Sequence, residues 1–281
     1  MRLLTCIPRV LLLATLSFQT LSLSANELTV GLAAPITSLD PHYHNLTPNI
    51  SVAKQVFEPL FLTDAFQNLK PGLAESWRNI DELTYEIKLR KGVKWHDGSP
   101  FVADDVLASF KRIPDVPNSP ASFALYVRQI TEASAPDAHT LILKTAKPYT
   151  GLIRDLNSAQ IIPKAVAESA KTEDFNSGKA MIGTGPYKFV EYKPGDRVVF
   201  ARNDDYWGGK GDWTTVQMRM IANNAARVAA LLAGDVQMIE NVSTPDVKRL
   251  SGNKDLAIAQ AVSNRIIYLH MDSNRTKNSP F

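Results

Sequence analysis

Residues 73–112 read LAESWRNIDELTYEIKLRKGVKWHDGSPFVADDVLASFKR, and the pattern of this stretch decides the fold class. In its middle, Tyr85, Ile87 and Leu89 alternate with Glu86 and Lys88. Side chains of a strand point alternately to its two faces, so the alternation predicts a half-buried strand. A turn-rich run from Gly92 to Gly98 follows, with Asp97 placed to brace it through side-chain hydrogen bonds. The period then changes. Val106, Leu107 and Phe110 give a helix its apolar face. Asp104 and Asp105 stand at the end where the helix dipole favours negative charge, Lys111 and Arg112 at the end where it favours positive. Pro114 stops the helix.

The same alternation of periods runs outward in both directions. Upstream, Leu28–Leu32 reads as a strand and residues 33–46 as a loop. Thr47-Pro48 opens a helix, with Thr47 as cap, whose core face is Ile50, Ala53, Val56, Phe57 and Leu60; Glu58-Pro59 marks its end. Downstream, 113–122 is a Pro, Asn and Ser-rich loop, 140–144 a strand, 165–170 a short helix and 171–181 a polar linker. Gly183-Thr184-Gly185-Pro186-Tyr187 opens a hairpin with strands 187–192 and 197–201, and Pro194-Gly195 suits a type II turn. Strands at 216–221, 236–239 and 266–271 and helices begun by Asn223/Asn224 and by Ser243 complete the reading, with Gly234 ending the first of these helices. Strands and helices mix without strict alternation, which predicts an α/β or α+β chain with a mixed sheet.

Arg2 and Arg9 are the only charges before Glu27, and a short apolar stretch then leads to Ser22, Ser24 and Ala25. That order predicts a secretory signal peptide over residues 1–25, cut near Ala25, and hence a periplasmic protein. Without Arg2 and Arg9, 29 basic face 28 acidic side chains, a net charge of +1 with no basic cluster, so nucleic acid is excluded as a partner. Cys6 is the only cysteine and lies in the leader, so neither disulfides nor a thiol nucleophile serve the rest of the chain.

The stretch from Leu73 to Phe101 resembles the signature of the extracytoplasmic solute-binding proteins of ABC importers, the dipeptide/oligopeptide/nickel-binding family 5. Further resemblances lie in Leu39-Asp40-Pro41, Phe57-Glu58-Pro59-Leu60, Gly183-Thr184-Gly185-Pro186-Tyr187, Asn203-Asp204-Asp205-Tyr206-Trp207-Gly208, and the segment Ala225-Ala226-Arg227 to Asp235. The resemblance implies a type II periplasmic-binding-protein lobe. Residues 26–60 and 182–270 form its incomplete major part, and 61–181 an inserted small β-rich subdomain. It also implies capture of a peptide or other small solute by lobe closure, and delivery, as a monomer, to a permease of two transmembrane subunits with two ATP-binding subunits. Relatives are longer. The resemblance therefore implies that 271–281 begins a linker to a second lobe, and the chain reads as the N-terminal portion of a split or truncated gene product. A nickel or haem carrier on the same fold and a decayed gene product are the alternatives.

A secreted hydrolase is the rival of another class, but no G-x-S-x-G and no H-E-x-x-H occurs, and no catalytic residue is assigned. Gly92, Gly98, Gly183 and Gly185 read as backbone devices, since neither pair forms a phosphate loop. Trp77, Trp95, Tyr206 and Trp207 read as core. His42-Tyr43-His44 is the sharpest candidate. Two histidines at this spacing can ligate a metal, yet His96, His139 and His270 are scattered, so neither metal nor cofactor is assigned. In relatives the loop after the first strand borders the ligand cleft. This marks His42, Tyr43, His44 and Asn45 as solute-binding candidates, joined by the aromatics Phe123 and Tyr126.

Overall fold

A computed structural model describes residues 26–262, with 268 and 269. The expected leader and most of the expected 266–271 strand lie outside the described residues. β1 (Glu27–Leu32) is followed by α1 (Thr47–Val56), β2 (Glu58–Pro59), β3 (Phe61–Thr63), β4 (Leu69–Pro71), β5 (Ala74–Asn79), β6 (Thr84–Leu89) and α2 (Ala103–Arg112). Then come β7 (Ile130–Asp137), β8 (Thr140–Thr145), α3 (Leu152–Asp155), β9 (Gln160–Ile161), α4 (Lys164–Ser169) and α5 (Thr172–Asn176). The last elements are β10 (Tyr187–Lys193), β11 (Arg197–Arg202), β12 (Thr215–Met220), α6 (Asn224–Ala233), β13 (Met238–Ile239) and α7 (Thr244–Ser251). Single 3-10 turns cover Ile113–Asp115 and Phe123–Tyr126.

Two sheets organise these elements. In the first, the order is β10-β11-β12-β1-β13, with β1 parallel to both neighbours and β10–β11–β12 antiparallel. The mixed sheet expected from the sequence is therefore present. The second is the antiparallel sheet β5-β6-β8-β7. Tyr85, Ile87 and Leu89 of β6 face inward with Leu141 and Leu143 of β8. Val106 and Phe110 of α2 close the same core.

Burial of apolar surface is the main force holding such layers together, and it gathers here in two clusters. One unites the second sheet with α2, Trp95, Phe123 and Ile161. The other unites the first sheet with α1 and contains Ile162, Phe175, Ala180 and Met181. Within the expected subdomain 61–181, Ile162, Phe175, Ala180 and Met181 thus pack with the first sheet, while α4 lies against α2. The expected linker at 171–181 also contains α5. Its polar composition conceals Phe175, which is fully buried and meets Phe57 edge-on at 6.1 Å between ring centroids.

The motif segments converge on one buried carboxylate. Glu58 Oε1 accepts from the Tyr206 hydroxyl at 2.7 Å; Oε2 accepts from Thr184 Oγ1 and the Trp207 indole, each at 2.8 Å. Burial pushes the Glu58 carboxyl up, partly offset by these three donors and the charge of Arg90. The Arg90 guanidinium lies 4.1 Å over the Trp207 ring. Gly183 and Gly185 serve the same junction by close approach. A Cβ on Gly183 would sit 1.8 Å from the Val56 carbonyl oxygen, and one on Gly185 2.7 Å from it. Gly185 N–H in turn donates to that oxygen, at 2.9 Å. The end of α1 is thus pinned by backbone contact that no side chain would permit.

Two local expectations shift slightly. Leu46 rather than Thr47 caps α1, with no side-chain hydrogen bond. Glu58-Pro59 does not merely end the helix but pairs with β9 as a strand. Asp97 does brace its turn, accepting from both Ser99 N–H and Ser99 Oγ.

Candidate functional site

The loop between β1 and α1 carries most of the candidates and is held from below by a buried ion pair. Arg112, at the end of α2, meets Asp40 in a two-pronged contact, Nη1 to Oδ1 at 2.9 Å and Nη2 to Oδ2 at 2.6 Å. The Asp40 side chain is fully buried and that of Arg112 is 8% exposed. Asp40 also accepts from Thr172 Oγ1 and from His42 N–H. Burial pushes its carboxyl up, but the hydrogen bonds and charge of Arg112 outweigh that and hold it below the usual carboxylate range. Arg112 thereby ties α2, in one core, to the loop, in the other. Asn176 of α5 adds a second tie, its Oδ1 accepting from Leu39 N–H and Ser38 Oγ.

The paired histidines separate at this point. His42 is fully buried, with Nε2 2.7 Å from the Gln160 carbonyl oxygen and Nδ1 3.1 Å from Arg112 Nη1. Burial, then the charge of Arg112, lowers its pKa to about 4. The neutral ring thus donates from Nε2 and accepts at Nδ1, leaving neither nitrogen for a solute or a metal. His44 is half-buried, its Nδ1 2.9 Å from Thr37 Oγ1. That hydroxyl also accepts from Asn49 Nδ2 at 2.9 Å. The Thr37 hydroxyl thus sits between the His44 ring and the Asn49 amide. Among the described residues no three His, Cys, Asp or Glu side chains gather in a way that could hold a metal ion.

The loop meets the segment after α2 through a parallel bridge of His44 with Ala121, and Asn45 N–H donates to the Ala121 carbonyl at 2.9 Å. This brings Asn45 to Tyr126, whose hydroxyl accepts from Asn45 Nδ2 at 3.1 Å. Phe123 lies 6.0 Å from Tyr126 between ring centroids but is only 3% exposed, so it belongs to the core beneath. Of the six candidates, Tyr43, His44, Asn45 and Tyr126 share the surface; His42 and Phe123 are interior. The correction has one cause. Alternate residues of a short loop can face opposite ways, and a loop offers no periodicity from which to read which way.

Beside Tyr43 lies a half-open cavity of about 720 Å³. Its walls include Ala108, Val116 and Ala170 as well as Lys111, Lys171 and Glu173. No ion pair links these three charged side chains to one another. The size falls within the range of small-molecule sites.

A second feature escaped the sequence reading. Open sheets take ligands outside the C-terminal ends of parallel strands. Here those ends are tied by Arg227, 3% exposed, which donates to the carbonyls of Ile221, Ala222, Glu240 and Asn241. Glu240 Oε1 accepts from Ala33 N–H at 2.8 Å, where the site loop leaves β1. The motif around Arg227 was visible, but not its role as a clamp.

The family model "Bacterial extracellular solute-binding proteins, family 5 Middle" matches residues 68–281. The glutathione-binding protein GsiB of Escherichia coli O1:K1 / APEC is 30% identical over 265 residues, 92% of this chain and 51% of that protein. The chain spans about half the length of the curated relatives it matches. Among solved structures, the oligopeptide-binding protein AppA of Bacillus subtilis, in complex with a nonapeptide, has a TM-score of 0.71 at 29% identity, over 79% of this chain and 45% of that one. NikZ of Campylobacter jejuni, in complex with Ni(L-His), has a TM-score of 0.73 at 28% identity, over 81% and 45%. With more than half of its length matched, the chain belongs to the bacterial extracellular solute-binding proteins of family 5.

Proposed function

We propose that this chain carries one wall of the solute cleft of an ABC-importer binding protein, and that the solute is a peptide. The observation that carries the reading is the surface shared by Tyr43, His44, Asn45 and Tyr126 beside a cavity of about 720 Å³. Among the described residues, Asn45 Oδ1 and the Tyr126 hydroxyl proton have no hydrogen-bond partner, so the wall offers an acceptor and a donor of the kind that match a peptide backbone.

Membership in an extracellular family supports work outside the inner membrane, after removal of residues 1–25. Capture ends in closure about a hinge and docking on a permease of two transmembrane and two ATP-binding subunits. The chain acts as a monomer and performs no covalent chemistry. GsiB is named for glutathione and AppA was solved with a nonapeptide, which supports a peptidic ligand.

Titration calorimetry with di- to pentapeptides tests this, with nickel–histidine as a competing probe. Peptide binding should weaken at least about fivefold, near 1 kcal/mol, in both Tyr43→Ala and Tyr126→Ala. Undiminished affinity in both variants, or heat from nickel–histidine alone, would remove the reading.

A further inference from the structure

Under His44 lies a second, much smaller cavity, walled by Asp40, Pro41, Asn49, Ala53, Phe123 and Gln160 together with His44 and Ile50. It leaves about 10 Å³ for the centre of a water-sized group, which is room for one. Gln160 is 2% exposed, and its Oε1 has no hydrogen-bond partner. Its backbone carbonyl is already engaged with His42 Nε2. A buried amide oxygen without a partner loses its hydration and gains nothing in return, so native structures rarely leave one.

No donor of the surrounding described groups, the second N–H of Asn49 Nδ2 included, lies within hydrogen-bond distance of Gln160 Oε1. Arg112 Nη1 points to Asp40 and His42, and Nη2 to Asp40. Asn49 uses Nδ2 on Thr37 Oγ1 and Oδ1 on Thr37 N–H. Pro41 has no N–H, and Ala53, Ile50 and Phe123 offer only apolar side chains. Most of the wall is buried, while His44 and Ile50 are half-buried and reach toward solvent.

We propose that this cavity is a one-atom subsite in which Gln160 Oε1 accepts a hydrogen bond from an N–H or O–H donor, supplied by solvent or by the solute. The single donor fits the single acceptor and the single-group volume. The solute as source rests on the reading of the cleft above; the solvent as source does not. Either way, the subsite couples the floor of the loop to β9, because Gln160 also holds His42 through its backbone.

High-resolution crystals of the 281-residue chain, free and grown with trialanine, test the assignment. In the free chain a water should lie about 3 Å from Gln160 Oε1. With trialanine, either the water persists, which assigns the subsite to solvent, or a peptide N–H replaces it, which assigns it to the solute. In the second case Gln160→Met, similar in shape but lacking the acceptor, should weaken trialanine binding roughly three- to tenfold while retaining the fold. A free chain in which Gln160 Oε1 instead meets a protein donor, with no water beside it, would overturn the proposal whether or not the Met variant folds. Failure of trialanine to bind would count against the peptide reading alone, because the free crystal still decides the subsite.

Discussion

Arg112→Met is the perturbation that best separates a structural role of the loop floor from an incidental contact. It keeps most of the aliphatic stem and removes the guanidinium that makes both contacts to Asp40. The Asp40 side chain is fully buried, so its charge would be left with Thr172 Oγ1 and His42 N–H as partners. Breaking a buried pair in this way costs about 3–5 kcal/mol. For a chain of this size that corresponds to a fall in melting temperature of roughly 6–20 °C at pH 7.

The pH dependence sharpens the test. In the native protein the Asp40 carboxyl is held below its ordinary value, so its contribution is present above the unfolded pKa and is lost as pH falls through the folded one. Without Arg112 the two largest causes that lower it are gone, and burial is opposed only by the His42 and Thr172 contacts, so the folded pKa rises. The variant's deficit is then greatest at neutral pH and shrinks as acid protonates the carboxyl. Thermal unfolding followed by circular dichroism at pH 7 and pH 4.5 measures both effects. Asp40→Asn combined with Arg112→Met should be less damaging than Arg112→Met alone, since no uncompensated charge remains. A loss of less than about 2 °C, or a deficit equal at both pH values, would refute this account of the pair.

Other outcomes follow from the same structure. Gly183→Ala should abolish soluble folded protein, since its Cβ would meet the Val56 carbonyl, whereas Gly195→Ala, in open space at φ +77°, should cost only about 1 kcal/mol in urea titrations. Glu58→Gln should cost about 1–3 kcal/mol by the same assay, because its amide group would face one of three converging donors. The melting temperature should fall between pH 6.5 and about 4, because His42 and His96 both titrate near 4 when folded and the unfolded chain takes up their protons first; His96→Gln should flatten that slope.

The strands and helices with their own periodicity were legible from the sequence. Tyr85, Ile87 and Leu89 face inward as their alternation predicts. Asn223 caps α6, accepting from Ala226 N–H, and Gly234 ends it at φ +80°. Pro194-Gly195 forms its turn, with Asp196 N–H returning to the Lys193 carbonyl and Gly195 at φ +77°. Each of these signals is local. Five-residue α5 gives too little length for a periodic pattern, and its one buried ring is outnumbered by polar neighbours that serve as ties to the loop. Glu58 has partners 126 to 149 residues away, so nothing near it in the chain announces a hub.

That distance also explains why motifs that identify the family say little about its solutes. Glu58, Thr184, Arg90 and the pair Tyr206 and Trp207 come from four separate family-like segments, yet all serve one junction at the end of α1. The Asp40 of another motif is consumed by Arg112, Thr172 and the His42 backbone. Substituting any of these disturbs a buried network, where a lost partner costs more than an exposed contact gains. The half-buried Tyr43, Asn45 and Tyr126 lie above these networks and take no part in the Glu58 or Asp40 side-chain contacts. Fold and ligand are thereby separable: relatives of this fold were solved with a nonapeptide or with Ni(L-His), or are named for glutathione.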